Sequence, residues 1–419
     1  MRIWMACLLI GFGTLAPQAV AGEADRPTTS PSIWPQWRGP HRDSQVEAAP
    51  WPASLAGDAL QKTWRVPLGP SYSGPIVSKD TVFVTETKDA AQEVVRALDR
   101  KTGQQRWEAS WEGAMSVPFF AKANGDWIRA TPAFDGENLF VAGMRDLLVC
   151  LDPATGKVRW RVDFVKQMGT PLPPFGFVSS PLVDGEWLYV QAGGALCKLE
   201  KATGKIVWKS LDDSGGMNGS AFSSPCLAQV AGRRQLLVQT REKLAGVDPD
   251  AGQVLWSQMI PTFRGMNILT PTVSGDTVFT SAYGGKSWLF TIQQGSKGFA
   301  PGETWTNKVS GYMSSPVIVG NHIYLHLQNQ RVTCIDLATG ASRWTTQPFG
   351  KYWSLVANGD RILALDERGE LRLIQSSPQK FDQLDLRKIS TDPTWAHLAV
   401  CGDEVFVREL NAMAVYRWR

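Results

Sequence analysis

One element recurs along the chain and limits what it can fold into: an apolar strand, an acidic residue, a Thr-Gly or Ala-Gly turn, then a tryptophan. Its first full copy reads Ala97-Leu98-Asp99-Arg100-Lys101-Thr102-Gly103-Gln104-Gln105-Arg106-Trp107. Asp152 to Trp160, Glu200 to Trp208, Asp248 to Trp256 and Asp336 to Trp344 repeat it, and Trp305 closes a degenerate copy. The tryptophans at 107, 160, 208, 256, 305 and 344 stand 39 to 53 residues apart, the length of one four-stranded sheet unit. The acidic residue ends a strand and suits a hydrogen bond to the turn backbone. Glycine supplies the positive φ of a tight hairpin. Tryptophan opens the next strand with a flat face suited to a neighbouring unit, because an isolated four-stranded sheet cannot bury both its surfaces.

A second element sets the count. Ser73-Gly74-Pro75, Ala130-Thr131-Pro132, Ser179-Ser180-Pro181, Ser223-Ser224-Pro225, Leu269-Thr270-Pro271 and Ser314-Ser315-Pro316 each begin an apolar strand. Two copies without proline, Ser354-Leu355-Val356 and Ala396-His397-Leu398, bring the total to eight. Small residues fit an innermost strand, where units converge on an axis. The expectation is an all-β, eight-bladed β-propeller of four-stranded antiparallel blades. The final stretch, Met413 to Trp418, aligns with the third strand of a blade, so the last blade needs an outer strand. Lys62-Thr63-Trp64-Arg65-Val66 matches one, as in Trp160-Arg161-Val162, and is expected to close the ring and remove a free edge. The propeller is placed at residues 62–419, with a lead-in at 22–61.

The first 21 residues read as a signal peptide. Arg2 precedes an apolar stretch from Ile3 to about Leu15, and Ala19-Val20-Ala21 gives the small-x-small pattern of a cleavage site. That stretch is too short to span a bilayer, and no later run is long and apolar enough. A lipid anchor would need a cysteine at the cleavage point, whereas Cys7 lies near the start of the apolar stretch. The expected location is periplasmic or extracellular, without a membrane span. Of the remaining cysteines, Cys150, Cys197 and Cys334 share one column of the repeat. Equivalent positions in separate blades splay around the axis beyond bridging distance, so these read as small buried apolar residues. Lys plus Arg number 43 against 39 Asp plus Glu, with no long basic run, which argues against nucleic-acid binding.

The Asp-x-x-Thr-Gly-x-x-x-Trp element resembles the repeat of pyrroloquinoline quinone (PQQ)-type propellers, shared by quinoprotein alcohol dehydrogenases and the outer-membrane assembly protein BamB. The lead-in Trp34-Pro35-Gln36-Trp37-Arg38-Gly39-Pro40-His41-Arg42-Asp43 looks like the segment before the propeller in PQQ-like repeat proteins, many from planctomycete-like bacteria. The resemblance runs from about Ile33 to Arg419. It is specific for fold, and one such fold hosts unrelated activities.

Two functions follow from it. A PQQ-dependent oxidoreductase acting on alcohols or sugars needs the quinone, a Ca²⁺-like cation and a carboxylate base near the inner strands. The inner-strand starts read SYSGP, IRATP, FVSSP, AFSSP, NILTP, YMSSP, YWSLV and TWAHL, with no Asp or Glu among them. The vicinal Cys-Cys pair of the alcohol dehydrogenases is missing, as is a Cys-x-x-Cys-His haem signature. Carboxylates for that chemistry would have to fold in from loops, such as Asp126 or Asp213. His41, His322, His326 and His397 form no metal-binding pattern.

The second reading is a non-catalytic scaffold without a cofactor, binding a protein partner or small ligand at one propeller face. Tyr72, Arg129, Phe222, Trp353 and Trp395 are expected at one channel mouth. Phe177, Arg264, Asn267, Tyr312 and His397 join them there. The insertion from Trp111 to Trp127, with Met115, Phe119 and Phe120, and Pro171-Leu172-Pro173-Pro174-Phe175 are expected to overhang the same mouth.

Overall fold

In the computed structural model each repeat becomes four antiparallel strands, and eight such sheets surround a central axis. Met1 and residues 33–213, 215–216 and 221–419 are described, with the backbone alone at 123 and 124. The signal peptide expected at 1–21 lies, beyond Met1, outside the described residues. So do the lead-in up to residue 32, residue 214 and residues 217–220.

The first blade comprises Ile76–Val77, Thr81–Lys88, Gln92–Asp99 and Gln105–Glu112. Six more span 133–163, 182–210, 226–259, 272–307, 317–345 and 353–388. The eighth, Ala399–Cys401, Glu404–Glu409 and Ala412–Trp418, takes its outer strand from Leu60–Pro67, paired from Leu60 with Trp418 to Pro67 with Ala412. The closing strand expected from Lys62 therefore begins at Leu60. Apolar residues pack between blades: Phe83, Val95 and Ala97 of the first lie in one cluster with Leu139, Val141 and Leu151 of the second.

The repeat chemistry explains how blades dock. Asp336 Oδ1 accepts from the backbone N–H and hydroxyl of Thr339, each at 2.9 Å, while Oδ2 pairs with Arg343 at 2.5 Å. That turn brings Gly340 to φ +72°, against the Trp305 ring of the preceding blade. The indole N–H of Trp305 donates to Leu337 O in the same turn at 2.8 Å. Trp64, Trp107, Trp160, Trp208 and Trp344 likewise donate to a carbonyl of the following blade, at 2.7–3.0 Å. Trp256 is the exception: its N–H turns to Gln235 Oε1 of its own blade at 2.7 Å. The next blade there carries the long hairpin Ser287–Gly295 and Gly298–Asn307 instead of a Thr-Gly turn.

The lead-in fills the axis. Trp34 bridges Val77, Phe134 N–H donates to Pro35 O at 2.7 Å, and the Arg42 guanidinium donates to Ser180 and Pro181 carbonyls at 2.9 Å. Trp37 Nε1 donates to Thr270 Oγ1 at 2.9 Å, Arg38 to Pro316 O, and Val46 N–H to Ala357 O at 2.8 Å. The segment read only as preceding the propeller is thus a plug tied to the inner strands of most blades. Burial lowers the pKa of Arg38 to about 10 and of Arg42 to about 9, so both guanidiniums stay cationic at neutral pH.

Each inner strand starts at the same end of the axis, so chain alternation puts the Asp-x-x-Thr-Gly turns at the opposite end. All five described cysteines are buried and unbridged. No helix among the described residues is long and apolar enough to cross a membrane.

Candidate functional site

The end of the channel where inner strands start opens as a funnel of about 730 Å³. Its wall comes from the residue just before each short inner strand's small-residue step, where side chains point to the axis above the plug. Tyr72, Arg129, Val178, Phe222, Ile268, Met313 and Trp395 reach it from seven blades. In the seventh blade the column is one residue out of register: the hairpin pairs Asn358 with Arg361 as the sixth pairs Val319 with His322, so Tyr352, not Trp353, is the counterpart of Met313. Trp353 opens the inner strand Trp353–Asn358, and strand alternation turns it into the blade interface. There it stacks on His326 at 5.9 Å and lies 5.6 Å from Phe349. Tyr352 faces the funnel in its place.

Two further expected positions leave the mouth. Phe177 is buried and meets Phe164 edge-on at 6.2 Å, on the short helix Phe164–Met168. Asn267 is buried and donates to Arg241 O at 3.0 Å and Ile260 O at 3.3 Å. Both are the residue before the lining position and turn into the blades, whereas Tyr312 at the same position packs against Tyr283 at 4.3 Å and reaches the funnel. Arg264, Tyr312 and His397 do line the funnel.

Aromatic rings of the two long loops join its wall. Phe120 lies 6.2 Å from Phe175, and Phe175 lies 5.5 Å from Phe222. On the far side Tyr352 stacks on Trp395 at 5.7 Å, which is tilted 6.0 Å from Tyr72. Met115 of the same insertion packs into a blade interface instead. Trp37 of the plug forms the floor, edge-on to His397 at 5.0 Å. Burial, then the nearby Arg38 charge, lowers the His397 pKa to about 3, so its imidazole is neutral at physiological pH.

Three guanidiniums share this aromatic wall: Arg129, Arg241 and Arg264. Arg129 is held by the carbonyls of Trp127 at 3.2 Å and Gly125 at 2.9 Å, and burial lowers its pKa to about 10. Arg241 lies 4.5 Å over the Phe222 ring and donates through Nη2 to Arg264 O at 2.6 Å. Among the described residues no carboxylate lines the funnel. Asp213 bonds the Gly215 N–H at 3.0 Å outside it, and burial raises its pKa. Among the described residues no group of three or more His, Cys, Asp or Glu is placed to hold a metal ion.

Trp37, Arg241, Phe263 and Tyr352 escaped sequence reasoning. Arg241 sits on the hairpin between Arg233–Gln239 and Lys243–Val247. Once strand direction is known, that hairpin must lie at the mouth, so topology was the missing signal.

A family model described as outer membrane protein assembly factor BamB matches residues 91–346. BamB of Yersinia pestis is 21% identical over 299 residues, covering 68% of this chain and 70% of that protein. BamB of Moranella endobia is 25% identical over 339 residues, covering 75% and 79% respectively. The crystal structure of BamB from Moraxella catarrhalis superposes with a TM-score of 0.63 at 14% identity, covering 86% of this chain and 98% of that one. A europium-containing methanol dehydrogenase shares the fold at a TM-score of 0.54 and 11% identity, covering 92% and 98%.

Proposed function

The chain belongs to the family of the outer membrane protein assembly factor BamB, and on that premise we propose that it is a non-catalytic scaffold. Its aromatic mouth binds a protein partner outside the cytoplasm. The observation that carries the reading is the funnel itself, open to solvent, walled by aromatic rings and guanidiniums, and free of lining carboxylates among the described residues. Such a surface binds by area and charge. Exported location is supported by the relatives' printed name, outer membrane protein assembly factor, and by the leader-like first 21 residues.

No cofactor enters this function. The PQQ-dependent alternative requires a calcium-like cation, a hard ion that takes carboxylate and carbonyl oxygens. The funnel's side chains among the described residues supply none of the carboxylates, nor a carboxylate base for an alcohol proton. These residues do not fit that group.

Photo-crosslinking tests the docking face. A benzophenone side chain replacing Phe120 or Phe263, both on the rim, is expected to give a discrete protein adduct in cells. The same group at Lys157, on a Thr-Gly turn at the opposite face, is expected to give none. An adduct from Lys157 alone, or none from either rim site, would contradict the reading.

A further inference from the structure

Arg241 is 4% exposed, yet its Nε and Nη1 have no hydrogen-bond partner among the described residues. Asp213 and Glu242 contribute favourable charge from a distance without pairing to it. A buried guanidinium with two unsatisfied nitrogens and no carboxylate partner is costly, and this side chain lines the funnel wall, where the charge of an anion in the opening offsets that cost. Arg129 and Arg264 share the wall, so the low-dielectric funnel concentrates positive charge and selects an anionic group. Around that charge the surface is apolar, and Phe222 lies directly under the Arg241 guanidinium.

The occupant is larger than the funnel. Phe120 and Phe263 stand 56% and 50% exposed on its rim, with Phe119, 85% exposed, beside Phe120 at 5.6 Å, and a small molecule seated below would leave them in water. A polypeptide crossing the rim covers them. The floor is sealed, because Trp37 is tied to Thr270 and the plug fills the axis beneath, so a chain enters and leaves by the same opening. We propose that the mouth takes the tip of a partner polypeptide in which a carboxylate stands beside a large apolar side chain, the carboxylate meeting Arg241. This rests on the mouth being the docking face. It goes further by fixing the chemistry of what docks.

The test uses the intact protein and a random peptide display library, with selected peptides then measured by fluorescence anisotropy. Enriched sequences are expected to pair Asp or Glu with Phe, Tyr, Trp or Leu. Exchanging that acid for its amide should weaken binding about tenfold or more, as should Arg241→Gln. Because Arg241 is buried, Arg264→Asn serves as the second variant. Asparagine tolerates the left-handed backbone at this exposed position (φ 51°), and the variant should lose severalfold affinity with an unchanged melting temperature. Selection of neutral or basic peptides at the mouth would overturn the acidic preference while leaving the docking face standing. Equal affinity for free phenylacetate, or displacement by a neutral oligosaccharide, would overturn the polypeptide. No enriched peptide together with rim crosslinks would remove this inference alone, whereas no rim crosslink removes the reading beneath it.

Discussion

At Gly340 a Cβ would stand 2.5 Å from Cδ2 of the Trp305 indole, with φ at +72°. Two constraints coincide there: a left-handed backbone that L side chains resist, and a neighbouring ring that leaves no room. Gly340→Ala is expected to destabilise the protein by about 2 kcal/mol or more, read as a shift of the urea midpoint. Gly275→Ala is the control. Its φ is +55°, but a Cβ there meets nothing within 4 Å, so the cost is about 1 kcal/mol from backbone strain alone. Equal shifts would show that the indole contact adds nothing. Residues of this kind were legible in the sequence, because the repeat printed the glycine and the tryptophan at fixed spacing. Arg241 was not, since a guanidinium in a hairpin turn looks solvated until the turn is placed beside Phe222.

The Asp-x-x-Thr-Gly hairpin is an element with its own pH dependence. Arg106 beside Asp99, Arg159 beside Asp152 and Arg343 beside Asp336 each hold a carboxyl down at about 2. A carboxyl depressed in the folded state binds its proton later than the unfolded chain does. Its contribution is complete above the ordinary aspartate range near 3.8 and is lost as pH falls toward 2. These turns face solvent, so each contributes at most about 1 kcal/mol. Asp336→Asn is expected to be less stable than the parent at pH 7, with the gap closing toward pH 2 in denaturant titrations. A gap that stays constant across that range would contradict the carboxylate's role. At this scale the sequence also misplaced side chains. Trp353 was aligned to the mouth because Ser354 was matched with Ser314, whereas the hairpin registers match it with Ser315 and leave Tyr352 as the counterpart of Met313.

For the whole molecule, eight blades and their closure followed from counting repeats, and the strand Leu60–Pro67 joins the two ends of the ring as the alignment required. The plug did not follow, because Trp34 to Val46 carries no repeat and its partners lie on strands spread over most of the chain. Yet the plug decides the function proposed here: with Trp37 as floor, the channel becomes a blind funnel, aromatic and cationic at one face. The central claim is that this funnel binds without performing quinone chemistry. Titrating the purified protein with PQQ, with and without Ca²⁺, tests it directly, because Trp37 and Trp395 line the funnel and a quinone seated there quenches their emission. The expected result is no saturable Ca²⁺-dependent quenching and no Ca²⁺-dependent rise in melting temperature. Saturable binding that requires Ca²⁺ would contradict the claim and return the chain to the quinone-dependent oxidoreductases.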